Sequence, residues 1–420
     1  MVRKMVVLVL ACCVCLGLGN LSLAKELGVV VYQDNPGQHV PTTELVEQWA
    51  TEKGVKVNIT TAGHANRRTI ITTALEGGTG PDIIILADYE PHLYAEGLLD
   101  LSDLAQKIGQ ENGGWYPIAE QIGNVQGTWK ALPIYIYMHL MMYRRDILQS
   151  VGAAVPDSWN DFRDVLQKIK NAGLNIQPFG VSYGRSFDGQ QFLISRILSG
   201  GGRVLSEDGK KVVFDSPETV AALQYVVDLY RDGLVDPTVL GWDDGTNNQA
   251  MLSGRIAFTF NGFSIKMQAE KDFPDLNPNL GVTVYPKGEV TRVCFPFTLS
   301  YAIRKDSQNV DLAKDLLLYL FKKENYEKVL SYTRGATGVS LQGFASLPMW
   351  QEDPDWKANL DAIPYAQLFA PPSAATAEVY NGYVIVDMIA DVLVRDLSPE
   401  QAVKKAAQRM EEIYFGKGKE

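Results

Sequence analysis

The chain has 420 residues, with 49 acidic against 39 basic side chains and a formal net charge of −10. That negative charge is scattered along the chain, which disfavours nucleic acid as a partner and suits a soluble secreted protein. The length exceeds what one hydrophobic core usually spans, so two domains are expected.

At the N-terminus, Arg3 and Lys4 precede the apolar run "MVVLVLACCVCLGLG", and small residues stand at Ser22 and Ala24. This order reads as a secretory signal peptide, residues 1–24, cleaved after Ala24. The run is shorter than the ~20 residues needed to cross a bilayer. "VLAC" at Val9–Cys12 has the form of a lipoprotein box but falls inside the apolar run. Cleavage and release into the periplasm are therefore expected rather than lipidation. Cleavage removes the two cations, taking the charge from −10 to −12, and leaves Cys294 as the last of four cysteines. No internal disulfide can form, and stability must come from a large core.

Further along, "ELGVVVY" is a β-branched strand that stops at "QDNPG", and a helix follows from Thr43 to about Lys53, closed by Gly54. "VKVNIT" is a second strand, a second helix runs from about Asn66 to Leu75, and "GTGPDIIILADYE" supplies a third strand. Alternating strands and helices with short connections predict a parallel α/β sheet. Ligands of such sheets sit beyond the carboxyl ends of the strands, here Gln33–Asn35, Gly63–Asn66 and Asp88–Glu90. Asp82 and Asp88 stand at opposite ends of the third strand, roughly 20 Å apart at ~3.3 Å per residue, too far to share a proton.

In the middle, "WKALPIYIYMHLMMYRRDIL" is strongly β-forming, and "DSWNDFRDVLQKIKNAG" is an amphipathic helix closed by Gly173. "RVLSEDGKKVVF" predicts a hairpin turning on Asp208–Gly209. The helix after it has Ser216 as N-cap and Pro217 at its first position. A second α/β unit thus occupies the centre. The last part alternates again, through "FTLSYAI", "NVDLAKDLLLYLFKK" and helices after Ala377 and Ser398. With no long Pro/Ser linker, two lobes imply that the chain crosses between them more than once.

"GVSYG" at Gly180–Gly184 matches the nucleophile elbow, yet His39, His64, His92 and His139 all precede Ser182, so the order Ser–Asp–His cannot be completed. The histidines lack metal-ligand spacing, "WDDGTNN" lacks the alternation of a calcium loop, and "LSGGGRV" is no phosphate loop. No cofactor or metal is expected. The positive signal is a set of polar and aromatic residues in loop positions. It comprises Gln33, Asp34, His64, Asn66, Asp88, Tyr89, Tyr135, Tyr137, Tyr183, Arg185, Trp242, Asp243, Asn261 and Phe263. Sugars need this mixture, with flat rings for the C–H face and amides or carboxylates for the hydroxyl rim. The same aromatics would also serve a core.

Several long stretches together resemble one family. They include "ALEGGTGPDIIILADYEPHLYAEGLLDLSDL", "ALPIYIYMHLMMYRRDIL", "VPDSWNDFRDVLQKIK", "MLSGRIAFTFNGFS" and "SPEQAVKKAAQRMEEI". In this order they are similar to the extracellular solute-binding proteins of ABC importers, in the maltose-binding-like group called family 1. The resemblance implies the two-lobed, hinge-linked α/β periplasmic-binding fold of type II. It places crossings near Tyr135–His139, Lys287–Cys294 and Gly343–Met349. The first lobe would be residues 25–136 plus 292–345, the second 137–291 plus 346–420. Carried over by position, it adds Asn35, Glu90 and Tyr380 to the contacts above.

The implied role is a monomeric, non-catalytic carrier that delivers a small solute, a sugar above all, to membrane permease subunits. Maltodextrin binders tend to have an aromatic where Leu86 stands and an Asp–Arg pair near Tyr89–Glu90, so maltose itself is not expected. A ferric-iron site would need a Tyr-Tyr pair, which is absent. Asp34, Asp88, Glu90 and Asp243 keep a polyamine open. A paired-carboxylate glycosidase stays as the enzymatic alternative, since 49 acids always contain some pair.

Overall fold

The computed structural model describes residues 26–33, 38–63 and 66–416. The expected signal peptide and the candidate residues Asp34, Asn35 and His64 lie outside the described residues.

The N-terminal alternation is present as β1 (Glu26–Tyr32), α1 (Val40–Lys53), β2 (Lys56–Ala62), α2 (Arg67–Gly77) and β3 (Ile83–Ala87). β2 and β3 flank β1, both in parallel. Later strands are β4 (Leu132–Met138), β5 (Leu140–Arg144), β6 (Gln177–Phe179), β7 (Ile256–Asn261), β8 (Leu280–Thr283) and β9 (Pro296–Ile303). Beside a small ribbon of Asn124–Val125 and Thr128–Trp129, the two main sheets have the orders β2-β1-β3-β9-β4 and β8-β5-β7-β6. β9 runs antiparallel to both β3 and β4, so the first sheet is mixed rather than wholly parallel. Each main sheet is the centre of one lobe.

The third strand is buried along its whole length, as a central strand covered on both faces must be. Its far end is closed by Asp82, whose carboxylate accepts the Gly28 N–H at 2.9 Å and the Ser307 hydroxyl at 2.6 Å. Gly28 is required there, because a Cβ would lie 2.8 Å from Pro81 Cα. Asp82 is therefore structural.

The long β-forming run around Trp129–Leu148 does not form one strand. It supplies β4, passes from the first sheet to the second at His139, supplies β5 and then turns into a helix at Arg145–Ser150. A single apolar run serves two sheets because both ends of the crossing are buried. The chain returns to the first sheet at Pro296. The expected hairpin near Asp208–Gly209 shrinks to a bridge between Leu205 and Val212, with Ser206 N–H donating to Lys211 O at 2.8 Å.

The second lobe is built on α3 (Trp159–Asn171), α4 (Phe187–Ser199), α5 (Pro217–Arg231), α6 (Thr246–Leu252) and α7 (Ser264–Asp272). α3 starts on a reciprocal capping box between Ser158 and Asp161, and α4 starts on Ser186. Their apolar faces meet in an aromatic core of Trp159, Phe162, Phe179, Phe192 and Phe260. Further on, α8 (Pro354–Ala362) straddles the junction of the sheets. Its Asp355 accepts Val282 N–H at 3.0 Å, and its Asn359 carbonyl accepts Met138 N–H at 3.0 Å. α9 (Ala374–Asn381) follows it.

Candidate functional site

The carboxyl ends of β1 and β4 and the first residues of β9 face the N-terminal turns of α4, α6 and α7. Between them lies a cavity of about 400 Å³, within the range of small-molecule clefts. The first sheet contributes Tyr32, Tyr137, Met138 and Phe297, with His139 at the crossing to the second. The second contributes Phe187, Asp188, Gln191, Asp244, Asn248, Asn261 and Phe263. Strand geometry explains the first wall, since Tyr32 and Phe297 sit at the ends of strands that run to the same edge. Helix starts explain the second wall, where backbone N–H groups and short polar side chains converge.

Aromatic rings shape the cavity. Phe297 meets Phe187 edge-on across the two lobes, with centroids 4.9 Å apart, and lies 5.6 Å from the Tyr137 ring. The Tyr137 hydroxyl accepts a hydrogen bond from the Gln38 amide. Phe263 stacks on Trp356 at 4.8 Å.

The polar wall is a continuous network. Asp188 accepts the Asn247 and Asn261 amides at 2.7 and 3.0 Å, and its other oxygen lies 2.9 Å from His139 Nε2. His139 Nδ1 meets the Tyr285 hydroxyl. Asn261 also donates to Asn248 at 2.6 Å; Asn248 donates to Ser264, and Ser264 back to Asn261. Asp244 accepts the Asp188 N–H at 2.9 Å, at the start of α4. Burial, and after it the negative Asp188, push the Asp244 carboxyl up to about 7. Among the described residues no cluster of His, Cys, Asp or Glu is arranged to hold a metal ion.

Of the sequence candidates, Tyr137, Asn261 and Phe263 line this cavity. Asp88, Glu90 and Tyr380 line a much smaller void of about 20 Å³ that shares Phe187 and Phe297 with it. Asp88 has a positive φ of 45° and accepts Thr298 N–H at 2.9 Å. Burial comes first in pushing its carboxyl up to about 7. Glu90 is held by Arg67 in a buried ion pair and accepts Ala87 N–H at 2.8 Å.

The other candidates have different surroundings. Tyr89 is buried and its hydroxyl accepts Phe369 N–H at 3.1 Å. Tyr135 is buried beside Thr42, Tyr301 and Tyr326. Tyr183 is fully buried, donating to Val226 O at 3.1 Å. Trp242 packs against Gly180, where a Cβ would come within 2.6 Å of its ring, and donates to Thr238 at 2.7 Å. Apolar rings of this size are drawn into the core, which is why their chemistry did not bring them to the cleft. Arg185 is exposed and makes a two-fold ion pair with Asp387 at 2.8 Å. Asp243 is exposed in the turn before α6, where it accepts the Thr246 hydroxyl at 2.6 Å and the Gly245 N–H at 3.0 Å. Asn66 is exposed and accepts Gly63 N–H at 2.8 Å, and Gln33 is exposed at the end of β1.

Sequence reasoning missed Tyr32, His139, Phe187, Asp188, Gln191, Asp244, Asn248 and Phe297. Two of these had a readable signal. Tyr32 is the residue before the predicted strand end at Gln33. Asp244 is the neighbour of Asp243, and one step along a loop decided which carboxylate closes the turn and which faces the cavity.

Comparison with known proteins agrees with this architecture. The Escherichia coli (strain K12) protein YcjN carries the name of an ABC transporter periplasmic-binding protein. It is 24% identical over 361 residues, covering 82% of both chains. A solute-binding protein of Thermotoga lettingae TMO, solved with α-D-tagatose, superposes with a TM-score of 0.82 at 21% identity. The match covers 93% of this chain and all of that one. T. maritima MalE3 bound to maltose gives a TM-score of 0.80 at 23% identity, over 92% and 99% of the two chains. These likenesses show the two-lobed fold. Residues 36–327 match the family described as bacterial extracellular solute-binding protein, and the chain belongs to that family.

Proposed function

We propose that the protein is the periplasmic substrate-binding component of an ABC importer and that it captures a sugar or short oligosaccharide between its lobes. The observation that carries this reading is the composition of the interlobe cavity. Aromatic rings of Tyr137 and Phe297 stand opposite Asp188, Gln191, Asn248 and Asn261, and the Phe187 ring meets Phe297 from that second wall. That pairing of flat apolar faces with a hydrogen-bonding rim suits a pyranose. The sugars named for the T. lettingae and T. maritima proteins support the class.

In this reading residues 25–136 plus 292–345 move against 137–291 plus 346–420. Only the closed form lets both walls touch the solute, so binding favours closure, and the closed protein docks on the permease. The carrier is a monomer, exported by a signal peptide cleaved after Ala24, and it does no chemistry. Asp188 supports the last point, because both of its oxygens are engaged by His139, Asn247 and Asn261 rather than poised for attack.

A thermal-shift panel of mono- and disaccharides, with spermidine and ferric ion included, tests the class. A sugar that raises the melting temperature and is recovered unchanged after incubation supports the reading. Stabilisation by spermidine or ferric ion alone, or cleavage of the sugar, overturns it.

A further inference from the structure

Resting on the solute-binding reading, we propose that Arg334 is a positioning residue for the solute site. It acts from outside the cavity as a latch, gripping Glu270 and Trp356 so that the second lobe stays closed on the first. The backbone gives the first sign. The helix Lys323–Tyr332 ends in a Schellman motif, with Gly335 N–H donating to Leu330 O at 2.9 Å and Arg334 N–H to Ser331 O at 3.1 Å. That motif needs a left-handed residue after Thr333, and Arg334 supplies it at φ 51°. Glycine is the residue favoured there, because a Cβ makes left-handed backbone costly. A strained residue other than glycine persists where the surrounding structure holds it, and such residues gather at functional sites.

The side chain gives the second, independent sign. Arg334 Nη1 donates to Glu270 Oε2 at 2.6 Å, and the guanidinium lies 5.2 Å from the centroid of the Trp356 ring. The other oxygen of Glu270 accepts the Trp356 indole N–H at 3.2 Å. These three residues come from different parts of the molecule. The helix that ends at Arg334 is tied to α1, the connection between β1 and β2, by Lys328 and Glu44 at 2.9 Å. Glu270 lies on α7, which also carries Ser264 and Gln268 of the cavity wall. Trp356 lies on α8, and its ring stacks on Phe263 of the same wall, 4.8 Å away and 16° from parallel.

A loop of the first lobe therefore holds both the helix and the ring that set Phe263 and Gln268 against the solute. The cleft is closed in this structure, since Phe187 and Phe297 touch across it. A contact between lobes that exists when they are closed and is lost when they part favours closure. Closure is what the solute requires, so the latch raises affinity without touching the solute. Its exposure suits a bond that is made and broken. The Arg334 side chain is 52% exposed and that of Glu270 19%, so water solvates the cation when the lobes part and salt screens the pair. A cation at a helix C-terminus also complements the helix dipole, and a lysine would serve that purpose equally. Only the planar guanidinium fork can meet Glu270 and lie over Trp356 together.

The test is titration calorimetry on the mature chain with glucose, galactose, maltose, cellobiose and melibiose, at about 20 mM and about 500 mM sodium chloride. Arg334→Gly should bind each sugar that the wild type binds ~5-fold more weakly. Its ligand-free melting temperature should be no lower, because glycine relieves the left-handed backbone. High salt should weaken binding of these neutral sugars to the wild type and leave the variant unaffected. Glu270→Gln should show the same loss, the double variant no further loss, and Arg334→Lys at most a partial recovery. Unchanged affinity in Arg334→Gly, a loss matched by a lower melting temperature, or losses that add in the double variant overturn the inference and leave the sugar reading standing. If the wild type binds none of the sugars, the sugar reading fails and small-angle scattering of the ligand-free chain decides the latch. A larger radius of gyration in Arg334→Gly and Glu270→Gln supports it, and an unchanged radius overturns it.

Discussion

Asp88 shows how one residue can look like a ligand contact and act on stability instead. Its carboxyl is pushed up to about 7, by burial first, against the lowering effect of Thr298 N–H, with Glu90 raising it further. An acid that holds its proton more tightly in the folded chain contributes stability that is complete below its unfolded value near 3.8 and lost as pH rises through 7. Asp88→Asn keeps an acceptor for Thr298 and tolerates the positive φ. It should leave the melting temperature unchanged near about pH 4 and raise it near about pH 8. Equal melting of variant and wild type by calorimetry at the higher pH would falsify this. Phe297 and Trp242 make the complementary pair. Phe297→Ala should weaken sugar binding by ~10-fold through loss of a stacking face. Trp242→Ala should instead destabilise the fold by about 3–5 kcal/mol, because that ring is packed against Gly180. Calorimetry and denaturant melts separate the two effects, and a stable Trp242→Ala with lost affinity would reverse their roles.

At the scale of elements, the junction between the sheets depends on α8. Asn359 receives Met138 N–H at 3.0 Å and donates to Gly335 O at 3.1 Å, so one amide ties the crossing strand to a helix and a loop. Asn359→Ala strands the buried Met138 N–H, at a cost of about 1–3 kcal/mol, while Gly335 O keeps the Gly338 N–H at 2.9 Å. A denaturation midpoint within error of wild type would show that the helix is not what holds the crossing. The helices were the most legible elements in the sequence. The Ser216 cap and the closing Gly54 and Gly173 mark their ends through local backbone chemistry, whereas the helix that Ser186 caps was not read from the sequence. The run from Trp129 to Leu148 was not so legible. Hydrophobicity and β-propensity say that it is buried and extended, but nothing local says that it changes sheets at His139.

At the scale of the whole molecule, the proposed function makes the distance between the two lobes its variable. Solute-driven closure should reduce the radius of gyration in small-angle scattering, and a saturating sugar at ~100 times its dissociation constant should add about 2.7 kcal/mol to stability. Stabilisation without compaction would mean that the solute binds a form already closed. His139 stands where these effects meet. It lies on the crossing between the sheets, beside Asp188 of the cavity wall and Tyr285 on the returning chain.

The α/β class and the alternation of strands and helices follow from short-range rules. Period, capping and turn chemistry act within a few residues, and a reader of the chain can apply them. The cavity wall obeys no such rule. Tyr137, Asn261 and Phe263 reach it, whereas Tyr135, Tyr183 and Trp242 are equally aromatic and lie buried elsewhere. Which side of a strand faces the partner lobe, and whether Asp243 or Asp244 meets the cleft, depends on how two sheets formed from distant segments are set against each other. That packing was decided only in the tertiary structure, because contacts between residues hundreds of positions apart leave no periodic trace in the sequence.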